Sequence, residues 1–406
     1  MSDTKDCTVR VIRKTSELEA LRERWNELVD ASEYPNIFST WEWASIWWRW
    51  YGERELHGEL FILLIERNTE EQNGGEASQN QTDHRELAGI FPFYKKRTGL
   101  LKTAVQLNML GYGARPSAEY LGPMIRRGCM EPVCDAAVSF LAADKREWNS
   151  IFFEAYSCDD PGTSAFVQKM QAVFPFYTQK DEPRHYIPLP DSYDAYLGTL
   201  SSHNRYNKRR RLNIAKSKFA ATSQVLDVAD IDEWFPIFVD LTEQSRKRLK
   251  QPSPYSKKEY GEFQKELLRA LIPQKRAEMR LLYFSGEPAA VMYVFLLNGK
   301  CYYYQTGMAL GAEGSPGDVI LQLTLIRQIE MKTSEFDFLR GSEWYKTAYT
   351  GTDRETEMLC LFPVKNFAYL KCLLIYRYYR PFRRNVKQLL LKCLPFLKPK
   401  DGKSKH

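Results

Sequence analysis

The run FDFLRGSEWYK, Phe336 to Lys346, decides how this chain is read, because apolar strand-like residues give way at once to Arg340, Glu343, Tyr345 and Lys346. Phe336 and Phe338 alternate with Asp337 as the two faces of a strand do, and Gly341 permits a sharp turn into a segment dense in donors and acceptors. Function concentrates at such strand exits, although a polar loop with aromatic packing has the same composition. The residues upstream favour a site. In SPGDVILQLTLIRQIEMK, Ser315 stands where a helix cap would, Pro316 at the first helical position and Asp318 three residues after the cap. Val319, Ile320, Leu321, Leu323, Leu325, Ile326 and Ile329 cover most of the circumference, which predicts a helix buried in a layered α/β body.

Further back, MRLLYF (Met279 to Phe284) and AAVMYVFLL (Ala289 to Leu297) are joined by Ser285-Gly286-Glu287-Pro288, and Asn298-Gly299 leads into CYYYQT (Cys301 to Thr306). Asn-Gly between two strand-like runs signals a hairpin. The order is an antiparallel three-strand meander, a capped helix and another strand. With SSHNRYNKRRR in the middle and NIFSTWEWASIWWRWYG and LAGIFPFYKK near the start, the chain resembles the cellulose-biosynthesis CelD-type branch of the GNAT acyltransferase superfamily, related to the FemAB transferases. The resemblance runs from residue 35 to 362 and implies the fold and acyl transfer; it does not imply the substrate.

The first half repeats the plan of the second. ELFILLIE (Glu59 to Glu66) and ELAGIFPFY (Glu86 to Tyr94) read as strands, EPVCDAAVSFLAA (Glu131 to Ala143) as a helix and SIFFEAY (Ser150 to Tyr156) as a strand. The expected architecture is α/β: two tandem GNAT-like domains, 1–185 and 186–364, each a mixed, mostly antiparallel sheet flanked by helices. The join falls in the proline-rich EPRHYIPLP, and a basic amphipathic tail follows at 365–406. Between the first two strands, Asn68 to His84 has no apolar residue except Ala77 and reads as a disordered loop. The tryptophans of WEWASIWWRW would suit sugar stacking, but burial of the helix against its sheet is the commoner use of such residues.

Composition bounds the function. A chain of 406 residues, 44% hydrophobic and 27% charged, is globular material long enough for two or three domains. MSDTKDCTVR has no apolar signal core and no stretch reaches membrane-span length, so a cytoplasmic protein is expected. Eight isolated cysteines, without a C-x-x-C pair or nearby histidines, argue against a zinc site and for reduced thiols; no metal is expected.

Ser201 and Ser202 open a helix that carries seven Lys or Arg residues and no acid between His203 and Lys218. A charge run is usually a solvated face. Arg209, Arg210 and Arg211, however, point in three directions, and the resemblance implies that this segment, with Arg205, borders a groove for phosphates of a nucleotide sugar, a lipid-linked sugar or coenzyme A. No nucleic-acid motif accompanies the helix, so DNA is not an expected partner.

Acyl transfer from a thioester needs a base for the attacking group, a donor to the carbonyl oxygen and an acid for the leaving thiolate. Glu343 is assigned as general base and Tyr345 as acid or orienting hydroxyl. Arg340 and Lys346 are assigned to substrate or cofactor phosphate, with Asp337 bracing Arg340; a surface ion network of Arg340, Glu343 and Lys346 is the competing reading. The resemblance also implies acetyl- or acyl-coenzyme A as donor, its pyrophosphate on backbone N–H groups around Gly314, Ser315 and Gly317, with Gly311 nearby. ALGAEGSPGD departs from the family's R/Q-x-x-G-x-G/A loop: it has no basic residue, and Glu313 and Asp318 would oppose a pyrophosphate.

The expected acceptor is an amino or hydroxyl group of a sugar or envelope-polysaccharide precursor. Two alternatives stand beside it: a FemAB-type aminoacyl transferase, which would need tRNA, and a non-catalytic binding subunit of a polysaccharide-synthesis complex. From Lys365 to His406 twelve basic residues face one acid, Asp401, giving +11 against +7 for the whole chain, so the remainder is +7 − 11 = −4. Such a tail, interleaved with leucines, suits peripheral contact with an anionic membrane, or a terminal helix docked on the second domain with its charges solvated. Deleting Glu71 through Gln81 is expected to leave the melting temperature almost unchanged in a thermal melt, since shortening a polar loop alters closure entropy by well under about 1 kcal/mol. A large drop would mean that the segment packs on the fold.

Overall fold

Apolar runs bounded by turn residues build two sheets. The computed structural model describes residues 7–68, 85–99, 102–116, 118–341, 343–375 and 377. The first sheet contains β1 (Cys7–Ile12), β2 (Glu59–Asn68), β3 (Arg85–Thr98), β4 (Ala104–Met109), β5 (Met124–Ile125), β6 (Ser150–Ser157) and β7 (Phe176–Lys180). The second contains β8 (Arg184–Pro188), β9 (Thr222–Val225), β10 (Ala277–Phe284), β11 (Glu287–Leu297), β12 (Lys300–Met308), β13 (Glu335–Asp337) and β14 (Thr352–Arg354). The last strand, β15 (Thr356–Leu361), returns to the first sheet, giving the orders β1-β2-β3-β4-β6-β15-β7, with β5 on β3, and β14-β8-β13-β12-β11-β10-β9.

Helices cover these sheets: α1 (Thr15–Glu19), α2 (Arg22–Ala31), α3 (Trp41–Trp47), α4 (Met130–Ala143), α5 (Pro161–Val173), α6 (Tyr193–Thr199), α7 (Ser202–Phe219), α8 (Ile231–Arg248), α9 (Lys258–Leu271), α10 (Pro316–Glu330) and α11 (Phe367–Leu374). The α/β class and the two mixed, mostly antiparallel sheets are as the sequence predicts. The sheets nevertheless exchange chain across the expected limits. β8 straddles 185/186 and pairs with β13, while β15 inserts antiparallel between β6 and β7. Of the loop expected from Asn68 to His84, all but Asn68 lies outside the described residues, as does the tail beyond 377.

The tryptophan-rich segment is core, and it joins the halves. Trp43 and Trp47 are wholly buried. Trp43 meets Phe263 of α9 edge-on at 5.8 Å and Phe295 of β11 at 5.7 Å, so the aromatic core is continuous from one half to the other.

A buried ionic seam runs beside this core. Arg184, with no exposed surface, donates to Glu119 at 3.0 Å, Asp181 at 3.0 Å and the Thr356 hydroxyl at 2.9 Å. Arg354 donates to Asp337 at 2.7 Å, Glu335 at 2.8 Å and Asp159 at 2.8 Å, tying β14 to β13 and to the loop after β6. Removing one partner of a buried pair strands the other charge. Arg354→Met is therefore expected to lower unfolding stability by about 3–5 kcal/mol in urea denaturation. A loss below about 1 kcal/mol would mean that water reaches Asp337 and Glu335.

Candidate functional site

The middle of the second sheet is where the candidate site residues leave it. Ser285-Gly286 and Asn298-Gly299 both take positive φ, closing the β10–β11 and β11–β12 turns as Asn-Gly predicted for the second. Tyr293 pairs with Gln305 and Val294 with Tyr303, which leaves Tyr304 as an extra residue, a bulge on β12. β12 pairs in parallel with β13 only from Lys300 to Tyr302, although it continues to Met308. β13 ends at Asp337, opposite Tyr302, and the chain leaves the ladder there, with the Phe338 ring still 5.8 Å from that of Tyr303.

The exit from β13 is fixed by polar groups. The Asp337 carboxylate accepts from the Leu339 N–H at 2.7 Å and from the Tyr120 hydroxyl at 2.7 Å, besides Arg354. The Lys346 ammonium, 2% exposed, points back at the carbonyls of Phe338, Leu339, Arg340 and Gly341 at 2.9–3.4 Å and pairs with Glu343 at 2.9 Å. Gly341 has φ 123°, and a Cβ there would lie 2.2 Å from the Glu343 carboxylate, so the turn requires glycine.

Glu343 is half exposed on this loop. Tyr345 packs against the second core, and burial together with its hydrogen-bonded neighbour Tyr303 raises its hydroxyl pKa far above the ordinary range. Burial likewise pushes the Tyr303 hydroxyl up to about 12. Both phenols stay protonated at any physiological pH, which fits Tyr345 as a donor and excludes it as a base. On the same strand Gln305 is gripped from both ends: it accepts from the Tyr255 hydroxyl at 2.6 Å and donates to Tyr260 at 2.5 Å. Tyr303, Tyr304, Gln305, Tyr255 and Tyr260 were not singled out in sequence. CYYYQT reads as an ordinary strand, and only the pairing register reveals the bulge.

The mouth of α10 supplies the second half of the site. Its predicted start at Pro316 is correct, but Ser315 lies in the left-handed region with no side-chain cap, because the chain enters the helix through a tight turn. Gly314 and Gly317 are not bare: a Cβ at Gly314 would meet Phe219 at 2.6 Å, and one at Gly317 would meet Met308 at 2.5 Å. Only Gly311 faces open space. The cations missing from ALGAEGSPGD come instead from α7. Lys208 pairs with Asp318 at 2.5 Å, Arg211 with Asp318 at 3.1 Å and Lys218 with Glu313 at 3.2 Å. Three cations thus face two carboxylates there. Tyr349 at 2.6 Å and Gln322 at 2.7 Å also donate to Asp318.

Several expected contacts take other partners. Asp337 braces Arg354, not Arg340, because β14 lies beside it across β8. Arg340 reaches across to the first half, pairing with Glu119 and Glu154 at 3.3 Å. Arg205 caps the end of α6 through the carbonyls of Leu197, Gly198 and Leu200. Arg209 pairs with Asp194 on the surface at 3.0 Å, while Arg210 makes no ion pair among the described residues. Lys346 spends its donors on the exit loop. None of Arg340, Lys346 and Arg205 therefore presents an uncommitted charge to a phosphate.

Residues 202–347, from α7 through the exit loop, match the family model of the acetyltransferase (GNAT) domain. That segment is accordingly a GNAT-type acetyltransferase domain. Among solved structures the chain is similar to FemX, with 11% identity over 87% of this chain and 96% of that one, TM-score 0.56. It is also similar to a conserved protein of unknown function from Bacteroides thetaiotaomicron VPI-5482 (12%, 87% and 100%, TM-score 0.51). A third is the C-terminal domain of a putative lysylphosphatidylglycerol synthetase from Agrobacterium fabrum (10%, 89% and 97%, TM-score 0.51). At these identities the likeness is one of fold. No curated protein matches the chain.

Lys208 gives the site a measurable signature. Burial holds its ammonium pKa down to about 8 despite Asp318, and the ring of Tyr349 lies 3.1 Å from its nitrogen. Between pH 8 and the ordinary lysine value of 10.5 the unfolded chain binds this proton and the folded chain does not, so Lys208 makes stability rise with pH across that window. Comparing parent and Lys208→Met by urea denaturation from pH 7 to 10 should show the parent gaining on the order of 2–3 kcal/mol relative to the variant. Parallel pH curves would mean that the ammonium is solvated.

Proposed function

We propose that this protein is a CelD-type acyltransferase that moves an acyl group, acetyl in the first instance, from acyl-coenzyme A to an amino or hydroxyl group of a sugar or envelope-polysaccharide precursor. The observation that carries the reading is that the β12–β13 ladder ends at Tyr302 and Asp337, with Glu343 and Tyr345 on the loop that follows and Tyr345 against Tyr303 of β12. An acceptor lying along that loop meets the half-exposed Glu343 carboxylate, which takes the proton from its amine or hydroxyl as the new bond to the acyl carbon forms. Tyr345, permanently protonated beside Tyr303, donates to the carbonyl oxygen as negative charge develops or to the departing thiolate. The Lys346 ammonium, 2.9 Å from the Glu343 carboxylate, anchors it to the exit loop. Phosphates of the donor are matched by the excess positive charge that Lys208, Arg211 and Lys218 bring to the α10 mouth.

One observation favours a second reading. Phe219 and Met308 occupy the spaces beside Gly314 and Gly317 that a closely approaching pyrophosphate would need, and the fold resembles that of FemX. An aminoacyl transferase of the FemAB type would use the same Glu343 and Tyr345 on an ester donor carried by tRNA. Calorimetric titration with acetyl-coenzyme A separates the readings: saturable binding supports the first, and its absence together with transfer that ribonuclease abolishes supports the second. No binding and no transfer with either donor would leave a non-catalytic binding subunit. Glu343→Gln keeps shape but cannot accept a proton. It should cut turnover by about two to four decades while leaving folding and donor binding intact. Turnover within a few-fold of the parent would remove Glu343 from the mechanism.

A further inference from the structure

From the outer face of α11 we infer a docking surface for an anionic membrane. The inner face of this helix is occupied: Cys372 is buried with Phe152, Cys360 and Phe362, and Tyr369 meets Phe362 at 5.5 Å. α11 is thus seated on the first sheet, over β6 and β15, and β15 belongs to the stretch 186–364 on which a terminal helix was one of the two readings. The outer side of α11 is uncovered among the described residues. Leu370 is 54% exposed, Leu374 61%, and Val364 just before the helix 55%. Eleven large apolar side chains are exposed among the described residues, and three of them fall in this one short stretch, so the exposure is concentrated rather than scattered.

The polar groups on that side are all of one sign. Lys365, Lys371 and Arg377 are exposed, and no acid occurs from Val364 to Lys400. Leu370 and Leu374 stand one helical turn apart with Lys371 between them in sequence, so the leucines can enter the boundary between headgroups and acyl chains while the ammonium stays at headgroup level. The chain then continues for twenty-nine residues past Arg377, adding nine further Lys or Arg residues against Asp401 alone. A protein partner would be met by complementary acids on its own surface, and a second copy of this chain would bring its own excess of cations to the same contact. An anionic bilayer supplies both an apolar phase for the ridge and counter-charge for the basic run. Among the described residues no helix is long and apolar enough to cross a membrane, so the contact is peripheral.

The docking is independent of the chemistry proposed above and is tested by binding alone. The full chain is co-sedimented with vesicles of phosphatidylcholine and with vesicles of phosphatidylcholine containing phosphatidylglycerol, at low and high salt. The expected result is binding to the anionic vesicles that salt weakens, little binding to neutral ones, and a loss of at least about tenfold in Leu370→Asp/Leu374→Asp. Both positions are exposed, so the variant should melt with the parent; Leu370→Ser/Leu374→Ser is the milder substitute if it does not. Binding of the ridge variant equal to the parent, no binding to anionic vesicles at low salt, or equal binding to neutral ones would overturn the inference. So would a dimer in gel filtration that the ridge variant dissociates, since a second copy would then cover the face.

Discussion

Everything at the exit from β13 depends on the carboxylate of Asp337. It has no exposed surface, yet it serves three partners at once: the Leu339 N–H of its own exit loop, the Tyr120 hydroxyl of the first half and the Arg354 guanidinium of β14. A buried charge is tolerated only when its lone pairs are met, so the three contacts must form together. The loop that carries Glu343 and Tyr345 thereby becomes a property of the whole molecule: it cannot take its shape until β14 and the first half are in place.

The exchange of chain between sheets has the same consequence. β15 follows β14 after a single residue, so the strand that places Arg354 on Asp337 leads at once into the middle of the first sheet. Two halves joined only by a linker would be free to move against one another. Here the aromatic contacts of Trp43, the arginine seam and the shared strand oppose that freedom. The price is a dense set of buried charges, which contributes geometry more than stability.

Strand and helix were legible because their signals are local. Asn298-Gly299 fixed a hairpin, the apolar run from Leu60 to Ile65 is buried along its length, and Pro316 marked the start of α10. What was not legible depended on register and on partners distant in sequence. A bulge at Tyr304 is a one-residue offset between strands that no single strand announces. Arg354, the partner of Asp337, lies beyond the motif that drew attention to Arg340, and sequence proximity favoured the wrong guanidinium. Lys346 read as a phosphate ligand, or as one member of a surface ion network, because lysine is usually exposed; only the convergence of four carbonyls on its nitrogen shows why this one is buried.

The same distinction bears on the donor. Judged by its own residues, the loop before α10 repels a pyrophosphate, since it contains Glu313 and Asp318 and no cation. In space, α7 lies alongside and brings Lys208, Arg211 and Lys218, which reverses the local sign. A cation delivered from another helix is anchored by the carboxylate it neutralises, whereas a loop arginine moves with the loop. Asp318 is then no obstacle to an anionic donor. It is the post to which Lys208 and Arg211 are tied, and substituting it would release both cations instead of sharpening the site's positive field.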